Sequence, residues 1–482
     1  MNWHNLKKTK IIASIGPSTW TEEKILELYK SGVTVVRINF SHADYENTAR
    51  IVEIVHRLNK EGQTKLALLG DLKGPEIRLG DYEGTKSYKK GDIFKIFVDN
   101  NATFGELDQY CDYPYLVEDL QIGHVIKIES WIFDALVKEK GSNYLLVEAL
   151  NDITIKQRRH VNLPGIQIKL PGLIPQDVEN VKFCMEQGFN YIAMSFVRNA
   201  AHVKELRDLL DSHEHGKNMQ IISKVENQEG LDHIEEIVLA SDGVMVARGD
   251  LWIEIDVSLI PLWQKKIVDL CKVNGRLVIV ATQLIESMME IPFPTRAEVS
   301  DIFNAVMQKA DAVMTSGETA QGKYPVEAIQ MMNKIIMQAE ANIQYHYKEF
   351  TDNRYVGDVD LQRKALMRSA IEISDSLWIN TIVIFTISGK LAKIASSYRP
   401  KANIFAFTKN WNTFTNTALY FGIKSRFGDY DYHINGLEKA IQDLITRKDI
   451  TLEDNVIVIT DIVKGDAVYP SLQIVQAKSY IS

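Results

Sequence analysis

Residues 220–230, QIISKVENQEG, begin as an apolar β-strand and then place Lys224 and Glu226 two positions apart. Side chains at positions i and i+2 of a strand lie on the same face of the sheet. The stretch therefore predicts a strand whose end presents an ammonium group beside a carboxylate. One such pair is typical of a solvated strand edge, so its meaning depends on whether other strands repeat it.

Apolar runs of strand length recur along the chain, and most are followed by an amphipathic helical pattern. The eight runs are TKIIASIG (9–16), VTVVRINFS (33–41), KLALLGDLKG (65–74), YIAMSFV (191–197), QIISKVE (220–226), GVMVARGDL (243–251), LVIVATQLI (277–285) and AVMTSGET (312–319). Strands that alternate with helices predict parallel βαβ units. Eight such units are the number that closes a (β/α)8 barrel.

The connection after the third strand, roughly residues 75–174, is far longer than a loop in a compact domain. Its alternating runs, among them DIFKIFVDN and NYLLVEAL, predict a small all-β domain inserted into the barrel. After a polar linker, YKEFTDNRYVGDVD (347–360), the strands TIVIFTIS, ANIFAFT and NVIVITDI predict a separate open α/β domain.

Three domains follow from these patterns. We expect the (β/α)8 barrel to occupy residues 1–75 and 166–345, the inserted all-β lid domain residues 76–165, and the C-terminal open α/β domain residues 346–482.

The composition is that of an ordinary globular protein, with 45% hydrophobic and 24% charged residues. The net charge of −8 argues against nucleic acid or an anionic membrane as the main partner. The three cysteines show no CxxC spacing, as expected in a reducing compartment. No stretch of about 18 apolar residues and no signal-like start is present, so we expect a cytoplasmic protein.

Polar side chains cluster where the predicted barrel strands end, and the active sites of (β/α)8 barrels lie at that face. They are Arg37, Asn39 and Ser41 after the second strand, Asp71 and Lys73 after the third, Lys224 and Glu226 after the fifth, Arg248 and Asp250 after the sixth, Thr282 after the seventh, and Ser316 and Glu318 after the eighth. Repetition at one end of most strands predicts a functional site rather than a series of solvated edges.

The mixture of residue types narrows the chemistry of this site. Glu226 and Asp250 are carboxylates on neighbouring strands, and two carboxylates with substrate phosphates are a usual way to hold Mg²⁺. The alternative is that they only neutralise Lys224 and Arg248. Nothing resembles a His/Cys zinc site.

Three cations beside these carboxylates, Arg37, Arg78 and Lys224, suit an anionic, phosphorylated substrate. Lys224 fits stabilisation of a phosphoryl group in transfer. It also fits a Schiff base, as in barrel aldolases, although the adjacent carboxylates favour the electrostatic role.

Weaker signals concern a nucleotide. His42 follows the second strand, and Arg158 and Arg159 precede a tight turn in QRRHVNLPG (157–165), each as compatible with a structural role as with a ligand contact. Neither GxGxxG nor GxxxxGK[ST] occurs as a nucleotide motif. A nucleotide site would therefore combine the barrel mouth with the inserted domain.

Taken together, these motifs resemble the pyruvate kinase family from about residue 7 to the C-terminus. The shared motifs, in the family's order, are KTKIIASIGPS, VVRINFSH, DLKGPEIR, NLPG, ISKVENQEG, MVARGDL, VATQLIESM, PTRAEVSD and SGETAQGKYP. The resemblance implies a homotetramer with a mobile lid and an effector-binding C-terminal domain. It implies phosphoryl transfer from phosphoenolpyruvate to ADP, giving pyruvate and ATP, with Mg²⁺ (or Mn²⁺) and usually K⁺.

The resemblance also assigns roles to individual residues. They are Lys224, Arg37, Thr282, Ser316 and Glu318 for catalysis; Arg37, Lys224, Gly249, Asp250 and Thr282 for the substrate; Asn39, His42, Arg78 and Arg159 for the nucleotide; Glu226 and Asp250 for Mg²⁺; and Asn39, Ser41, Asp71 and the Leu72 carbonyl for K⁺.

The chain departs from the family pattern at a few positions near the site. Leu72 stands where the family usually has threonine, Trp252 where it has glycine, and Asp256 where it has proline. Glu76 is the residue that the family associates with K⁺ dependence. Two alternatives stay open: a Mg²⁺-dependent barrel lyase or aldolase acting on pyruvate-like enolates, and a catalytically weakened member kept as a metabolite sensor.

The loop TISGK (386–390) follows a C-terminal strand and precedes a helical pattern, an arrangement that suits phosphate. The resemblance favours an effector site over an ordinary capped turn, with Thr386, Ser388, Gly389 and Lys390 as contacts. Leu391 and the late loop TDIVKGDAVYPS (460–471) differ from members activated by fructose 1,6-bisphosphate. We therefore expect a sugar monophosphate or nucleoside monophosphate as the phosphorylated allosteric effector.

Overall fold

The computed structural model describes residues 7–129, 132–344, 361–430, 435–464 and 467–480. In chain order its strands are β1 (Lys10–Ser14), β2 (Val35–Asn39), β3 (Ala67–Asp71), β4 (Ile77–Arg78), β5 (Thr85–Tyr88), β6 (Ile93–Phe97), β7 (Gln109–Tyr110), β8 (Val125–Ile128), β9 (Phe133–Lys140), β10 (Tyr144–Ala149), β11 (Ile153–Lys156), β12 (His160–Asn162), β13 (Tyr191–Met194), β14 (Gln220–Val225), β15 (Gly243–Ala247), β16 (Leu277–Ala281), β17 (Ala312–Thr315), β18 (Thr381–Phe385), β19 (Asn403–Thr408), β20 (Ile423–Phe427), β21 (Asn455–Lys464) and β22 (Ala467–Gln476).

The helices in the same order are α1 (Glu22–Lys30), α2 (Tyr45–Lys60), α3 (Leu116–Asp119), α4 (Pro175–Glu186), α5 (Ala200–Asp211), α6 (Gln228–Asp232), α7 (Ile234–Ala240), α8 (Arg248–Glu254), α9 (Ile260–Val273), α10 (Arg296–Met307), α11 (Gly317–Ala320), α12 (Pro325–Ala341), α13 (Leu361–Leu377), α14 (Lys390–Ser397), α15 (Trp411–Asn416) and α16 (Gly436–Thr446).

Eight parallel strands close into the predicted barrel, in the order β1-β17-β16-β15-β14-β13-β3-β2. Closure is made by pairing β1 with β17, for example Ile12 with Met314. The strands read as continuous apolar runs because both of their faces are buried, one in the barrel interior and one under the helices. The eight predicted runs are thereby confirmed as the barrel strands.

At two of the predicted strand ends a helix begins where the strand was expected to continue. β15 stops at Ala247 and the next residues form the short helix α8, so Arg248 and Asp250 lie on a helix. Likewise β17 stops at Thr315 and α11 follows, so Ser316 and Glu318 do not share a strand face. In both places the chain leaves the barrel through a helical turn that keeps polar groups at the mouth.

The inserted lid is a mixed seven-stranded sheet, in the order β4-β12-β8-β9-β10-β6-β7, with a separate β11-β5 pair. The one-turn helix α3 is an addition to the predicted all-β domain. The lid has its own apolar core, which includes Phe94, Phe133 and Val147.

The C-terminal domain is an open five-stranded sheet, β20-β19-β18-β21-β22, parallel except for the last strand. The sequence patterns predicted three of its strands and missed β20 and β22. The predicted domain limits stay predictions, and the linker at 347–360 lies outside the described residues. In the described part of the chain, no helix has the length and apolar character needed to cross a membrane.

The C-terminal domain packs against the N-terminal end of the barrel. Interior barrel residues such as Ile12 and Met245 belong to one continuous apolar cluster with Ile404 and Tyr420 of the C-terminal domain. A buried ion pair joins the same two domains.

That ion pair links Arg399 to Asp311, with Nη2 and Oδ2 2.5 Å apart and both side chains almost fully buried. Asp311 also accepts hydrogen bonds from the backbone N–H groups of Val278 and Phe421. Burial raises the pKa of Asp311 even though Arg399 opposes the shift.

Arg399→Leu should lower the free energy of unfolding by about 3–5 kcal/mol, because it leaves a buried carboxylate without its counter-charge. Urea denaturation would measure the change. Lys204→Met is a matched control that breaks an exposed pair with Asp208 and should cost at most about 1 kcal/mol. Equal effects of the two substitutions would contradict a stabilising role for the buried pair.

Candidate active site

Lys224 is at the centre of the barrel mouth, and its ammonium group has three partners. Nζ lies 2.9 Å from Glu226 Oε1 and 3.3 Å from Asp71 Oδ1, and it donates to Ser195 Oγ at 2.7 Å. The side chain is only 12% exposed. The pair that the sequence placed side by side at the end of β14 is therefore a direct contact.

Burial disfavours the charge on Lys224, but the carboxylates of Asp71, Glu226 and Asp250 outweigh it and raise the pKa of the ammonium group. A lysine that forms a Schiff base needs the opposite shift, since only the neutral amine is a nucleophile. The surroundings of Lys224 keep it as a fixed positive charge.

Arg37 and Asp71 form the second layer of this charge cluster. Arg37 donates through Nε to Asp71 Oδ2 at 2.6 Å and through Nη1 to Ser14 Oγ at 2.7 Å. Asp71 is completely buried. Burial acts to raise its pKa, but the charges of Arg37 and Lys224 hold the pKa below its ordinary value.

Ser195, just beyond β13, is a site residue that the sequence analysis missed. Its hydroxyl accepts from Lys224 Nζ and donates to the backbone carbonyl of Leu72, at 2.7 Å in both contacts. It therefore connects the central ammonium group to a predicted K⁺ ligand. The signal was present in the sequence: in YIAMSFV, Ser195 holds the same strand-end position as the polar residues of other strands.

Glu226 and Asp250 fit the predicted divalent metal site. Glu226 is buried, accepts from the backbone N–H of Phe196 at 2.7 Å, and interacts electrostatically with Asp250. Burial raises the pKa of Glu226, with Lys224 opposing and Asp250 reinforcing the shift. A divalent cation bound here would compensate the negative charge of the two carboxylates. Over the described ranges no group of three or more His, Cys, Asp or Glu is placed to hold a metal, so the candidate rests on this carboxylate pair.

Among the predicted K⁺ ligands, Asp71 offers a buried carboxylate oxygen that suits a monovalent cation. Asp71 Oδ1 is buried and lacks a hydrogen-bond donor within bonding geometry, although Lys224 lies 3.3 Å away. The Leu72 carbonyl is adjacent in the chain, and Asn39 Oδ1 accepts from Ser41 N at 3.2 Å. His42 is exposed on the same rim.

Arg248 does not pair with Asp250, so the idea that the two carboxylates only neutralise Lys224 and Arg248 is wrong for the arginine. Its guanidinium instead contacts Asp301 at 2.6 Å and donates to the carbonyls of Ala281 and Thr282. Arg248 thus holds the end of β16 in place.

Thr282 and Gly249 meet at that end. The Gly249 N–H donates to Thr282 Oγ1 at 2.7 Å, and the same hydroxyl donates to the Ala281 carbonyl. Thr282 and Gln283 have φ values of 67° and 52°, a left-handed conformation that non-glycine residues rarely adopt. Such strain is concentrated at functional sites.

Ser316 and Glu318 lie at the start of α11, directly after β17, the barrel neighbour of β16. The backbone N–H of Ser316 donates to Glu318 Oε2 at 2.6 Å. Burial raises the pKa of the Glu318 carboxyl, which favours a group that can carry a proton.

At the base of the lid, Glu76 contacts two cations and a histidine. Its Oε2 lies 2.6 Å from Arg78 Nη2, 3.4 Å from His160 Nε2 and 3.5 Å from Lys73 Nζ. Arg78 is therefore engaged at the base of the lid rather than with Glu226 and Asp250.

The basic pair at residues 158 and 159 is also engaged within the lid. Arg159 pairs with Glu129 at 3.1 Å, and Arg158 with Asp81 at 3.3 Å. Direct contact between lid and barrel rim comes from Asn162, which donates to Glu254 of α8 at 2.9 Å. Burial raises the pKa of Glu254 to about 7.

Trp252 lies on α8 near the rim. Its indole is only partly covered in this chain, with 44% of the residue exposed. Val257, Leu259 and Leu262 follow it and are also exposed.

The predicted effector loop is far along the chain, between β18 and α14. Gly389 has φ 78° and precedes α14, and its N–H donates to Thr386 Oγ1 at 3.0 Å. Thr386 is buried, whereas Ser388 and Lys390 are exposed.

Ser195→Ala should lower kcat by about 10–100-fold with a small change in KM, because the ammonium group of Lys224, the predicted catalytic cation, loses its positioning acceptor. Steady-state kinetics with varied substrate and K⁺ would measure both. Ser223→Ala is the matched control: Ser223 is buried on β14, but its hydroxyl pairs with Ser241, away from Lys224. A similar loss in both variants would indicate a general packing effect instead.

Comparison with known proteins agrees with this geometry. The profile of the pyruvate kinase barrel domain matches residues 6–329, and that of the pyruvate kinase alpha/beta domain matches residues 364–469. The pyruvate kinase of Clostridium perfringens is 38% identical over 91% of this chain and 92% of its own length. That of Geobacillus stearothermophilus is 35% identical over 94% of this chain and 77% of its own.

Among solved structures, a pyruvate kinase from Cryptosporidium parvum superposes with a TM-score of 0.92 at 32% identity, covering 98% of this chain and 97% of that one. Fold, order of motifs and sequence identity over nearly the whole length agree. The chain therefore belongs to the pyruvate kinase family.

Proposed function

We propose that this chain transfers the phosphoryl group of phosphoenolpyruvate to ADP, giving pyruvate and ATP, with Lys224 as the central catalytic cation. The observation that carries the proposal is the buried cluster of Lys224, Arg37, Asp71 and Glu226 at the barrel mouth. Three buried, unpaired cysteines suit the cytoplasm as the working compartment.

Phosphoryl transfer spreads negative charge over three equatorial oxygens while the bond to the leaving oxygen breaks and the bond to the ADP oxygen forms. Lys224 supplies a fixed charge for those oxygens, and Arg37 orients the phosphate of the bound substrate. Both side chains are held by Asp71, so neither must reorganise when the charge develops.

The enolate left after transfer needs a proton on its carbon to become pyruvate. Thr282 is our candidate for the residue beside that carbon, with Ser316 and Glu318 as the relay that brings the proton. The raised pKa of Glu318 supports this role. The N–H groups of Gly249 and Asp250 are candidates to hold the substrate carboxylate, for which the Gly249 N–H would leave its acceptor Thr282 Oγ1.

Glu226 and Asp250 would hold Mg²⁺ (or Mn²⁺), and Asn39, Ser41, Asp71 and the Leu72 carbonyl would hold K⁺. When bound, these ions neutralise and orient the phosphates of the two substrates. For the nucleotide, we propose contacts from Asn39, His42, Arg78 and Arg159. Arg78 and Arg159 would first leave Glu76 and Glu129.

The two alternatives are not favoured. A Schiff-base aldolase would need a neutral amine at Lys224, whereas its neighbours stabilise the charged form. A weakened sensor is motivated only by Trp252, and that exposed side chain leaves the charge cluster complete. A coupled assay with phosphoenolpyruvate, ADP, Mg²⁺ and K⁺ separates the three, because only the kinase would give robust turnover.

We also propose a homotetramer. The exposed apolar residues Trp252, Val257, Leu259 and Leu262, close together in the chain, support an interface at this side of the barrel. Sedimentation velocity should give the mass of four chains, and a monomer at assay concentration would rule the proposal out.

Lys224→Met should lower kcat by about 10²–10³-fold, with a smaller effect on substrate affinity, because the charge acts mainly in the transition state. Rapid-mixing kinetics would measure the chemical step. Lys182→Met removes an exposed surface charge and should leave kcat unchanged. Turnover of Lys224→Met close to that of the unmodified enzyme would exclude Lys224 as the catalytic cation.

Glu226→Ala and Asp250→Ala should each raise the Mg²⁺ concentration needed for half-maximal activity sharply or abolish turnover, because one protein ligand remains. Asp208→Ala, on the exposed face of α5, is the control.

Replacing K⁺ by tetramethylammonium should depress the activity of the unmodified enzyme. Equal activity in the two salts would mean that the monovalent site is wrongly assigned.

The loop of Thr386, Ser388, Gly389 and Lys390 is our proposed effector site. Its exposed hydroxyl and ammonium at the start of α14 support phosphate binding. At subsaturating phosphoenolpyruvate, ribose 5-phosphate or AMP should activate more strongly than fructose 1,6-bisphosphate, and Ser388→Glu should abolish activation by repelling the phosphate. Activation by the bisphosphate alone would keep the site but overturn the ligand.

A further inference from the structure

The base of the lid carries a histidine that none of the roles proposed above uses. His160 is the first residue of β12, the last strand of the lid, and it pairs directly with Arg78 of β4, the first strand of the lid. Residues that face each other in an antiparallel pair have neighbouring side chains. The imidazole of His160 is therefore held beside the guanidinium of Arg78, where the lid joins the barrel.

The contact between these two side chains indicates the protonation state of the ring. Arg78 Nη2 lies 2.6 Å from His160 Nε2, and a guanidinium group can only donate a hydrogen bond. Nε2 is therefore the acceptor, which places the proton of an uncharged ring on Nδ1. Burial lowers the pKa of His160 and favours the same uncharged form.

Glu76 lies within reach of both side chains. Its Oε2 accepts from Arg78 Nη2 at 2.6 Å and from Arg78 Nε at 3.0 Å, and it lies 3.4 Å from His160 Nε2. Oε2 and the uncharged Nε2 are both acceptors, so Arg78 joins them by donating to each. A proton on Nε2 would turn the ring into a donor to Glu76 and would place two positive groups side by side. The ring and the guanidinium thus compete for one carboxylate oxygen.

The charges that act on His160 come from the lid, from the segment after β3 and from α8 of the barrel rim. Glu76 and Asp250 favour the protonated ring, whereas Arg78 and Lys73 oppose it together with burial. Movement of Arg78 toward a phosphate would take one opposing charge away from the ring. It would also bring the negative charge of the ligand closer.

We propose that His160 is a positioning residue for nucleotide binding, which holds Arg78 on Glu76 when uncharged and frees Arg78 for the phosphates of ADP when protonated. The ring is 39% exposed, so the proton comes from solvent. Protonated Nε2 would donate to Glu76 Oε2, and Arg78 would leave that oxygen for the nucleotide. The inference rests on the nucleotide contact proposed above for Arg78.

Proton uptake on ADP binding is the thermodynamic consequence. If the pKa of His160 is higher in the ADP complex than in the free chain, binding of ADP takes up a proton and protonation strengthens binding of ADP. The affinity for ADP should therefore gain from a fall of pH through the ordinary histidine value of about 6.5. The phosphates of ADP titrate in the same range, so this gain is measured against a variant whose residue 160 cannot be charged.

Two substitutions separate the acceptor of His160 from its charge, with calorimetric titration of ADP in the presence of Mg²⁺ as the measurement. His160→Ala should lower the Kd for ADP by about 3–10-fold above the histidine pKa, because Arg78 loses one hydrogen-bond acceptor but keeps Glu76 and the Arg158 carbonyl. His160→Gln keeps an acceptor oxygen and should bind ADP like the parent in that range, but should lack the gain of affinity at lower pH. His124→Gln replaces another lid histidine, whose ring accepts from the Gln121 N–H, and should behave like the parent throughout.

Repeating the titrations in PIPES and imidazole buffers, which differ in heat of ionisation, counts the protons taken up. The parent should take up more than His160→Gln. In the Arg78→Gln background, His160→Ala should no longer change the affinity for ADP, because its effect acts through Arg78. A gain that persists in that background would overturn the inference.

The single variant Arg78→Gln separates this inference from the proposed nucleotide contact. Weaker binding of ADP by Arg78→Gln supports the contact, and parent-like binding would remove both the contact and the inference. If Arg78→Gln binds ADP more weakly while both His160 variants match the parent at every pH, only the inference fails. These titrations measure binding, so they do not depend on whether the chain turns over phosphoenolpyruvate.

Discussion

The chemistry proposed for this protein depends on keeping one ammonium group charged inside a buried site. Asp71 and Glu226 surround Lys224 and keep it charged, and the charges of Lys224 and Arg37 in turn keep Asp71 ionised, whereas burial raises the pKa of Glu226. Neither half of the cluster is stable alone, since an unpaired buried charge is expensive. The parallel barrel resolves this by bringing β2, β3, β13 and β14 to one mouth, so that residues distant in sequence contact one another.

The sequence predicted most of this arrangement because strand periodicity and barrel topology act together. Once eight strands are recognised, polar residues at their ends must converge, and Lys224 with Glu226 is the clearest case. Prediction failed where the backbone changes from strand to helix within a polar segment. The alternation of side chains along a strand does not reveal that short helices begin at Arg248 and after Ser316. The ion-pair partners of the charged residues could not be predicted from the sequence either. Arg248 pairs with Asp301, which lies 53 residues away on α10, and no local pattern identifies that contact.

The shared apolar cluster of the barrel interior and the C-terminal domain also restricts how the chain reaches its native state during synthesis. The lid, with pairings confined to residues 77–162, can form early because its contacts are comparatively local. The barrel cannot close before β17 is available to pair with β1, some 300 residues after it. Even then, the apolar interior residues of the barrel that pack against the C-terminal domain stay uncovered until residues as late as Ile457 have been synthesised. A nascent barrel thus exposes apolar surface for most of translation, and chaperone demand should be concentrated in that interval.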